Sequence, residues 1–302
     1  MTTPFTIIKP ITVSDSNFTS SSLSEADYAA WSSATTYALA DRVIITTGQH
    51  KVYESLAASN INFAPATNPL KWVEISATNR WKVFDSSGGS KSSGTSPVSW
   101  AVATGRVDSV AVLEIEAANS VTVLCNSVSE GTVYNQTFVL TDSTIVGNWF
   151  EYFFSAIRKQ TEVVATNMPL YQDMTITVTV TGAGTVKAGN VIFGNRSELG
   201  ATQYGARAGI IDYSKKEVDA YGRATLVKRT FSKRMDVTML VENAIVDSVQ
   251  YLLSDLRATP VLWVAAKDQY ELLTVYGFYR DFSVDVAYTN NSICTLQVEG
   301  LT

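Results

Sequence analysis

Along most of this chain apolar residues recur at every second position, the spacing of a strand with one buried face. The clearest case is Met174–Thr181, where Ile176, Val178 and Val180 alternate strictly with threonines. Ser109–Ile115, Ser120–Leu124 and Thr132–Leu140 carry the same signature. Gly182-Ala-Gly184 is expected to turn the chain so that Val186–Phe193 returns beside Met174–Thr181. Five or more such strands predict an antiparallel β-sandwich. Arg42–Thr46 and Lys51–Leu56 read as a hairpin whose turn, Thr47-Gly-Gln-His50, contains the glycine that tight turns favour. In the C-terminal third, Thr225–Phe231 and Arg234–Leu240 read as strands broken at Ser232-Lys233. Val261–Ala265, Glu271–Phe278 and Ser292–Glu299 complete that sheet. One segment changes period: Ile245, Val246, Val249, Leu252, Leu253 and Leu256 fall at helical spacing, with Asn243 as the expected N-cap and Pro260 as the stop.

Between these patterns lie the separators. Residues 3–19 form a short extended lead, followed by Ser20-Ser-Ser22, and Ser86–Ser99 is a Ser/Gly-rich stretch without periodicity, expected to be a flexible loop. The expected fold class is mainly β and multidomain. It consists of an extended arm (1–22), a small aromatic-rich β module (23–76), a β-sandwich (77–195) and an α+β block (196–302), mostly antiparallel sheet with one helix at 244–257.

Composition narrows the function. Of 302 residues 46% are hydrophobic and only 17% charged, with serine and threonine supplying much of the polar surface, so a disordered chain is excluded. A net charge of −5 gives no basic footprint for a phosphate backbone, so no nucleic-acid partner is expected. A single histidine, His50, and two distant cysteines, Cys125 and Cys294, leave no zinc or redox motif, and neither metal nor cofactor is expected. The longest apolar runs fall far short of the ~20 residues that span a bilayer, so no membrane insertion is expected. The N-terminus lacks the pattern of a signal peptide.

The segment from Trp31 to Trp72 is the most informative. Trp31, Tyr37, Asp41 and Val43 are followed by Tyr53 and then by Asn68-Pro-Leu-Lys-Trp72. It resembles the small chitin-binding carbohydrate modules of families 5 and 12, with Ala40 where their pattern has glycine. The resemblance implies a sugar-binding face, with Trp31, Tyr37, Tyr53 and Trp72 as candidates, since sugar C–H groups lie flat on aromatic rings. In a module of some fifty residues the same rings can instead fill the core, a reading that competes most directly for Tyr53 and Trp72. A module that keeps the shape as a protein–protein spacer is a third reading.

The remainder adds a second resemblance. Thr78-Asn-Arg-Trp-Lys-Val-Phe-Asp85, Arg106–Leu113 and Ser120-Val-Thr-Val look like the opening of jelly-roll sandwiches of phage structural proteins. Ala258–Trp263, Tyr276–Asp285 and Cys294–Leu301 resemble the end of distal-tail and baseplate proteins. The resemblance implies a virion protein of the phage tail, made in the host cytoplasm, that assembles with itself as a trimer or hexamer and with other tail proteins and presents its module to host-surface glycan. Thr175–Thr181 carries no charge, and as an edge it would be a pairing hazard unless an assembly covered it. Lys228, Arg229, Lys233 and Arg234 form a basic cluster, the candidate subunit interface. Enzyme readings are weaker: Glu114 with Glu116, or Asp281 with Asp285, are spaced as a glycosidase pair would require. Such pairs are also ordinary solvated strand faces, and His50 in a turn is expected to face solvent. The chain is expected not to be an enzyme.

Overall fold

A computed structural model describes residues 3–141, 149–154, 159–218, 221–265 and 271–301. The protein is mainly β, with several antiparallel sheets and its longest helix near the C-terminus. The chain divides into two compact units, one made of residues 1–10, 87–89 and 193–302, the other of 11–86 and 90–192. Among the described residues no helix is long and apolar enough to cross a membrane.

Strand β1 (Pro4–Pro10) belongs to the first unit, and β2 (Phe18–Ser21) to the second. The expected arm is therefore divided, and its first part is no arm. β1 pairs on both edges, and Phe5, Ile7 and Ile8 are fully buried. A run of four consecutive apolar or small residues suits a strand covered on both faces, which alternation alone does not reveal.

The second unit begins with the small aromatic module. Its strands are β3 (Thr36–Tyr37), β4 (Arg42–Ile45), β5 (Lys51–Ser55), β6 (Asn60–Ile61) and β7 (Trp72–Ala77), with β3 paired to β6 and β4-β5-β7 in a three-stranded sheet. The hairpin read from the sequence is present, Val43 facing Tyr53 and Ile45 facing Lys51. Beyond it come β8 (Ser92–Thr95), β9 (Val98–Ala103), β10 (Ser109–Val112), β11 (Glu116–Ser127), β12 (Gly131–Val139), the short helix α1 (Trp149–Phe154), β13 (Val163–Ala165) and β14 (Met174–Ala188). One sheet runs β12-β11-β14-β9-β2, with β8 also on β14. The Thr175–Thr181 alternation is as expected, Ile176, Val178 and Val180 being fully buried.

Three expectations change here. β14 is flanked by β11 and β9, so the uncharged threonine strand is interior; the uncharged end strands are β12 and β2. The strand does not turn at Gly182-Ala-Gly184 but continues to Ala188, pairing with β8. The glycines serve a bulge instead: a Cβ on Gly182 would sit 2.3 Å from the Ala117 carbonyl oxygen, and the register against β11 slips on both sides of Ala118. The turn comes at Gly189-Asn190, bonded both ways to Leu113. Finally, part of the Ser86–Ser99 stretch is ordered sheet, with Ser92 buried and donating to the Asn79 carbonyl. Strands held mainly by backbone pairing leave no apolar period to read.

The first unit is built from β1, β15 (Val191–Thr202, from Phe193 onward), β16 (Arg207–Asp212), β17 (Lys215–Val218), β18 (Ala224–Val227), β19 (Phe231–Glu242), β20 (Val261–Ala265), β21 (Thr274–Asp285) and β22 (Asn291–Gly300). The order β15-β1-β20-β21-β22-β19 closes on itself because Ala201 and Thr202 of β15 pair with Leu240 and Met239 of β19. The six strands form a closed ring, from which β16 branches off β19 as an end strand. Its core holds Phe5, Leu199, Met235, Val237, Met239, Trp263, Val275, Leu296 and Val298. Trp263 is fully buried, its ring 6.1 Å from that of Phe5, and its indole N–H donates to the Gly277 carbonyl at 3.0 Å. A Cβ on Gly277 would meet the Glu299 carbonyl oxygen at 2.0 Å, so only glycine lets β21 lie this close to β22. Ser232-Lys233 does not interrupt β19, which runs unbroken through both.

Helix α2 (Val246–Asp255) plugs this ring with Val249 and Leu253, and Leu256 follows. It starts later than expected because Asn243 is not its cap. The Asn243 amide donates to the Tyr288 and Thr289 carbonyls at 3.2 and 3.0 Å, and its carbonyl accepts from Ser292 at 2.6 Å. Asn243 thus ties the β21–β22 turn, and the helix begins without a side-chain cap.

Candidate functional site

The module sets its aromatics around one small core. Tyr37, Val43, Tyr53 and Trp72 pack together, with Trp31 and Ile45 against them. Tyr37 and Trp72 meet edge to face at 5.2 Å. The polar ends are used internally: Ser32 N–H donates to the Tyr37 hydroxyl at 2.8 Å, Tyr53 donates to Gln49 at 2.7 Å, and the Trp72 indole donates to the Phe63 carbonyl at 2.8 Å. Of the four candidates for sugar contact, Tyr37, Tyr53 and Trp72 are buried and Trp31 is half-buried. They form a core, not an exposed platform. The exposed rings are Tyr28 and Phe63; Tyr28 lies beside Arg42, whose guanidinium donates to the Tyr28 hydroxyl at 3.1 Å and to Glu54 at 2.8 Å. Tyr28 and Arg42 border a cavity of about 400 Å3 that Asp27, Ile75, Asn79 and Lys82 also line.

Ala40, in the place of the glycine of the resembling pattern, has φ of +68°, and its N–H donates to the Ser55 carbonyl at 2.8 Å. A left-handed alanine is strained by ~1–2 kcal/mol, partly offset because glycine loses more backbone freedom on folding. Ala40→Gly is therefore expected to stabilise the module by up to ~1 kcal/mol in urea unfolding. A loss of stability would show that this strain is absent.

Sequence reasoning missed a buried polar cluster. His50 is 8% exposed, and its ring lies 3.9 Å from that of Trp81, nearly parallel. Nδ1 is 2.9 Å from Glu25 Oε1, and Nε2 is 2.5 Å from Asp15 Oδ1. Thr78 donates to the same Glu25 oxygen, and the Gly48 N–H donates to Asp15. The Gly48 amide, then His50, hold the Asp15 carboxyl below its ordinary range. The cluster joins the module hairpin to Asp15, Glu25 and Trp81 elsewhere in the same unit. Nothing local in the sequence signals it, because its partners lie 25 to 35 residues away. The turn residue expected in solvent is a structural clip.

The carboxylate pairs also resolve. Lys91 lies 3.3 Å from Glu114 and 2.6 Å from Glu116, and Lys187 lies 3.0 Å from Glu116. Lys91, then Lys187, hold the Glu116 carboxyl below its ordinary range, so this pair is neutralised in ion pairs. Asp281 and Asp285 are exposed on β21. Among the described residues no group of three or more histidine, cysteine or acidic side chains converges as a metal site would require.

The basic cluster lies on an extended hairpin of the first unit. β16 pairs with the start of β19, and β17 pairs with β18 beyond them. Lys228 and Arg229 are exposed between β18 and β19, Lys233 is half-buried, and Arg234 bonds Asp236 at 3.1 Å. Every described residue from 214 to 231 is exposed, apolar ones included: Val218, Tyr221, Leu226 and Phe231. Neither protein-family models nor curated proteins nor solved structures gave a match to this chain.

Proposed function

We propose that this chain is a non-enzymatic structural component of a bacteriophage tail tip or baseplate, a virion protein that assembles as a homo-oligomer, trimer or hexamer, and docks to other tail proteins. The observation that carries the assembling role is the uncovered outer part of the 207–236 hairpin, the described residues from 214 to 231. A two-stranded ribbon is marginal in water by itself, and Val218, Tyr221 and Leu226 on it are 60%, 89% and 77% exposed. A partner that covers those residues stabilises both the ribbon and the assembly. The buried module aromatics favour the architectural form of this reading, in which the module contacts neighbouring proteins. Leu39, Leu56, Ile61, Phe63 and Leu70 are exposed on it.

Sedimentation of the purified chain tests assembly. The full chain is expected to run as a closed oligomer at micromolar concentration. A variant in which residues 214–229 are replaced by Asn-Gly is expected to run as a monomer with its barrel intact. A monomeric full chain would sink the reading.

Host-glycan attachment is the second reading, and the cavity beside Tyr28 and Arg42 favours it. Saturable binding of the full chain to host glycan, lost in Tyr28→Ala, would support it; absence of binding leaves the architectural form.

A further inference from the structure

The charge of the first unit is divided unevenly. Residues 207–236 hold eight lysines and arginines against four acidic residues, while the rest of that unit holds five against nine. A positive arm on a negative body of equal and opposite net charge is complementary to another copy of itself.

The face of the arm that is free to dock can be read from its register. Lys216 pairs with Leu226 and Val218 with Ala224, so these four share one face, and Lys228 follows one residue beyond the end of β18. All five are exposed. The opposite face carries Lys215 and Glu217, which are 3.3 Å apart in their own ion pair. That region is thus apolar at its centre and flanked by Lys216 and Lys228; no salt bridge is made by either among the described residues, and Lys228 acts only at longer range on the Asp212 carboxyl.

The body offers a matching surface on α2. Asp247, Tyr251 and Asp255 follow one another at four-residue spacing, which puts them on one face of a helix. That face points away from Val249 and Leu253 in the core. Tyr251 is 76% exposed, and neither aspartate has an ion-pair partner among the described residues. The carboxylates are ~12 Å apart along the helix at ~1.5 Å per residue. Lys216 lies opposite Leu226, two residues before Lys228, so the two ammonium groups sit at the same end of the ribbon. Flexible lysine stems span the separation. Leu226 and Tyr251 are both left exposed in a single copy, so the two surfaces do not satisfy each other within one chain.

Building on the homo-oligomer reading, we infer that the Lys216–Leu226–Lys228 region of the hairpin seats on the Asp247–Tyr251–Asp255 stripe of a second copy. Leu226 and Val218 cover the Tyr251 ring, and each lysine meets a carboxylate. Two different surfaces join, so the contact is head-to-tail, and such contacts close into rings when the rotation per subunit allows. Salt weakens the association, because exposed charges are screened beyond ~10 Å at 0.1 M ionic strength.

Charge exchange on the full chain tests this by sedimentation velocity, with folding followed by circular dichroism. The double variant Lys216→Glu, Lys228→Glu and the double variant Asp247→Lys, Asp255→Lys are each expected to weaken self-association by about tenfold or more, since like charges then face each other. Mixing the two doubles restores association in alternating, even-numbered assemblies, because each arm then meets a helix of opposite sign, and the quadruple variant alone restores it in a ring of any size. Doubles that assemble like the wild type would overturn the α2 acceptor while leaving the homo-oligomer reading in place. Doubles that dissociate without rescue by mixing or by the quadruple would overturn it too. A monomeric wild type removes both readings together.

Discussion

Replacing Trp263 with alanine is expected to cost the barrel unit ~3–5 kcal/mol, the range for deleting a fully buried large aromatic. Two effects add. The cavity opens beside Phe5 and Tyr279, whose rings lie 6.1 and 6.3 Å from that of Trp263. The Gly277 carbonyl also loses the indole donor at the place where β21 and β22 approach most closely. A buried acceptor left unpaired costs a further ~1–3 kcal/mol if water does not reach it. Trp263→Phe keeps most of the apolar volume and is expected to lose roughly half as much. Urea unfolding followed by hydrogen exchange in β20 and β21 checks both. Equal losses for the two variants would mean that the hydrogen bond, not the volume, holds the site.

The second large effect is expected at His50. His50→Ala removes the ring stacked on Trp81 and leaves the Glu25 carboxylate, 9% exposed, facing Asp15 with no bridge between them. A buried hydrogen-bonding group left without its partner costs ~1–3 kcal/mol; with the stacked ring lost as well and Asp15 half exposed, ~2–3 kcal/mol is expected here. The same cluster sets an acid limit. The Asp15 carboxyl is depressed in the fold, so the stability it contributes is present above its unfolded value of 3.8 and is lost as pH falls below it. Stability of the second unit is therefore expected to decline below about pH 4, and Asp15→Asn to flatten that decline. An acid limb unchanged in Asp15→Asn would locate it in other carboxylates.

What was legible in the sequence was what repeats locally. The threonine alternation of β14, the Arg42–Ser55 hairpin and the apolar face of α2 each follow from a side-chain period, and each is present. What depends on a distant partner was not legible. Asn243 has the chemistry of a helix cap, yet the Tyr288 and Thr289 carbonyls claim its amide from 45 residues away. Gly182 has the chemistry of a turn, yet the approach of Ala117 makes it a bulge. The aromatics of the module stand out in the sequence, but their direction is a property of packing. With so little interior to fill, the rings went inward. The basic cluster was visible as charge; that it rides on a ribbon exposed on both faces required the fold.

The place of β1 governs the order in which this chain can be completed. The barrel ring needs Phe5 beside Ala265 and Pro4 beside Ala201, while the second unit occupies nearly all of the sequence from 11 to 192. During synthesis the first strand emerges long before either neighbour. At ~5–20 residues per second it waits on the order of 10–40 s for β15 and longer for β20. The second unit can meanwhile finish folding, whereas the ring closes only once β22 has left the ribosome. Chains cut short before β22 therefore lack the closed ring, and with it the settled β19 from which the 207–236 hairpin extends.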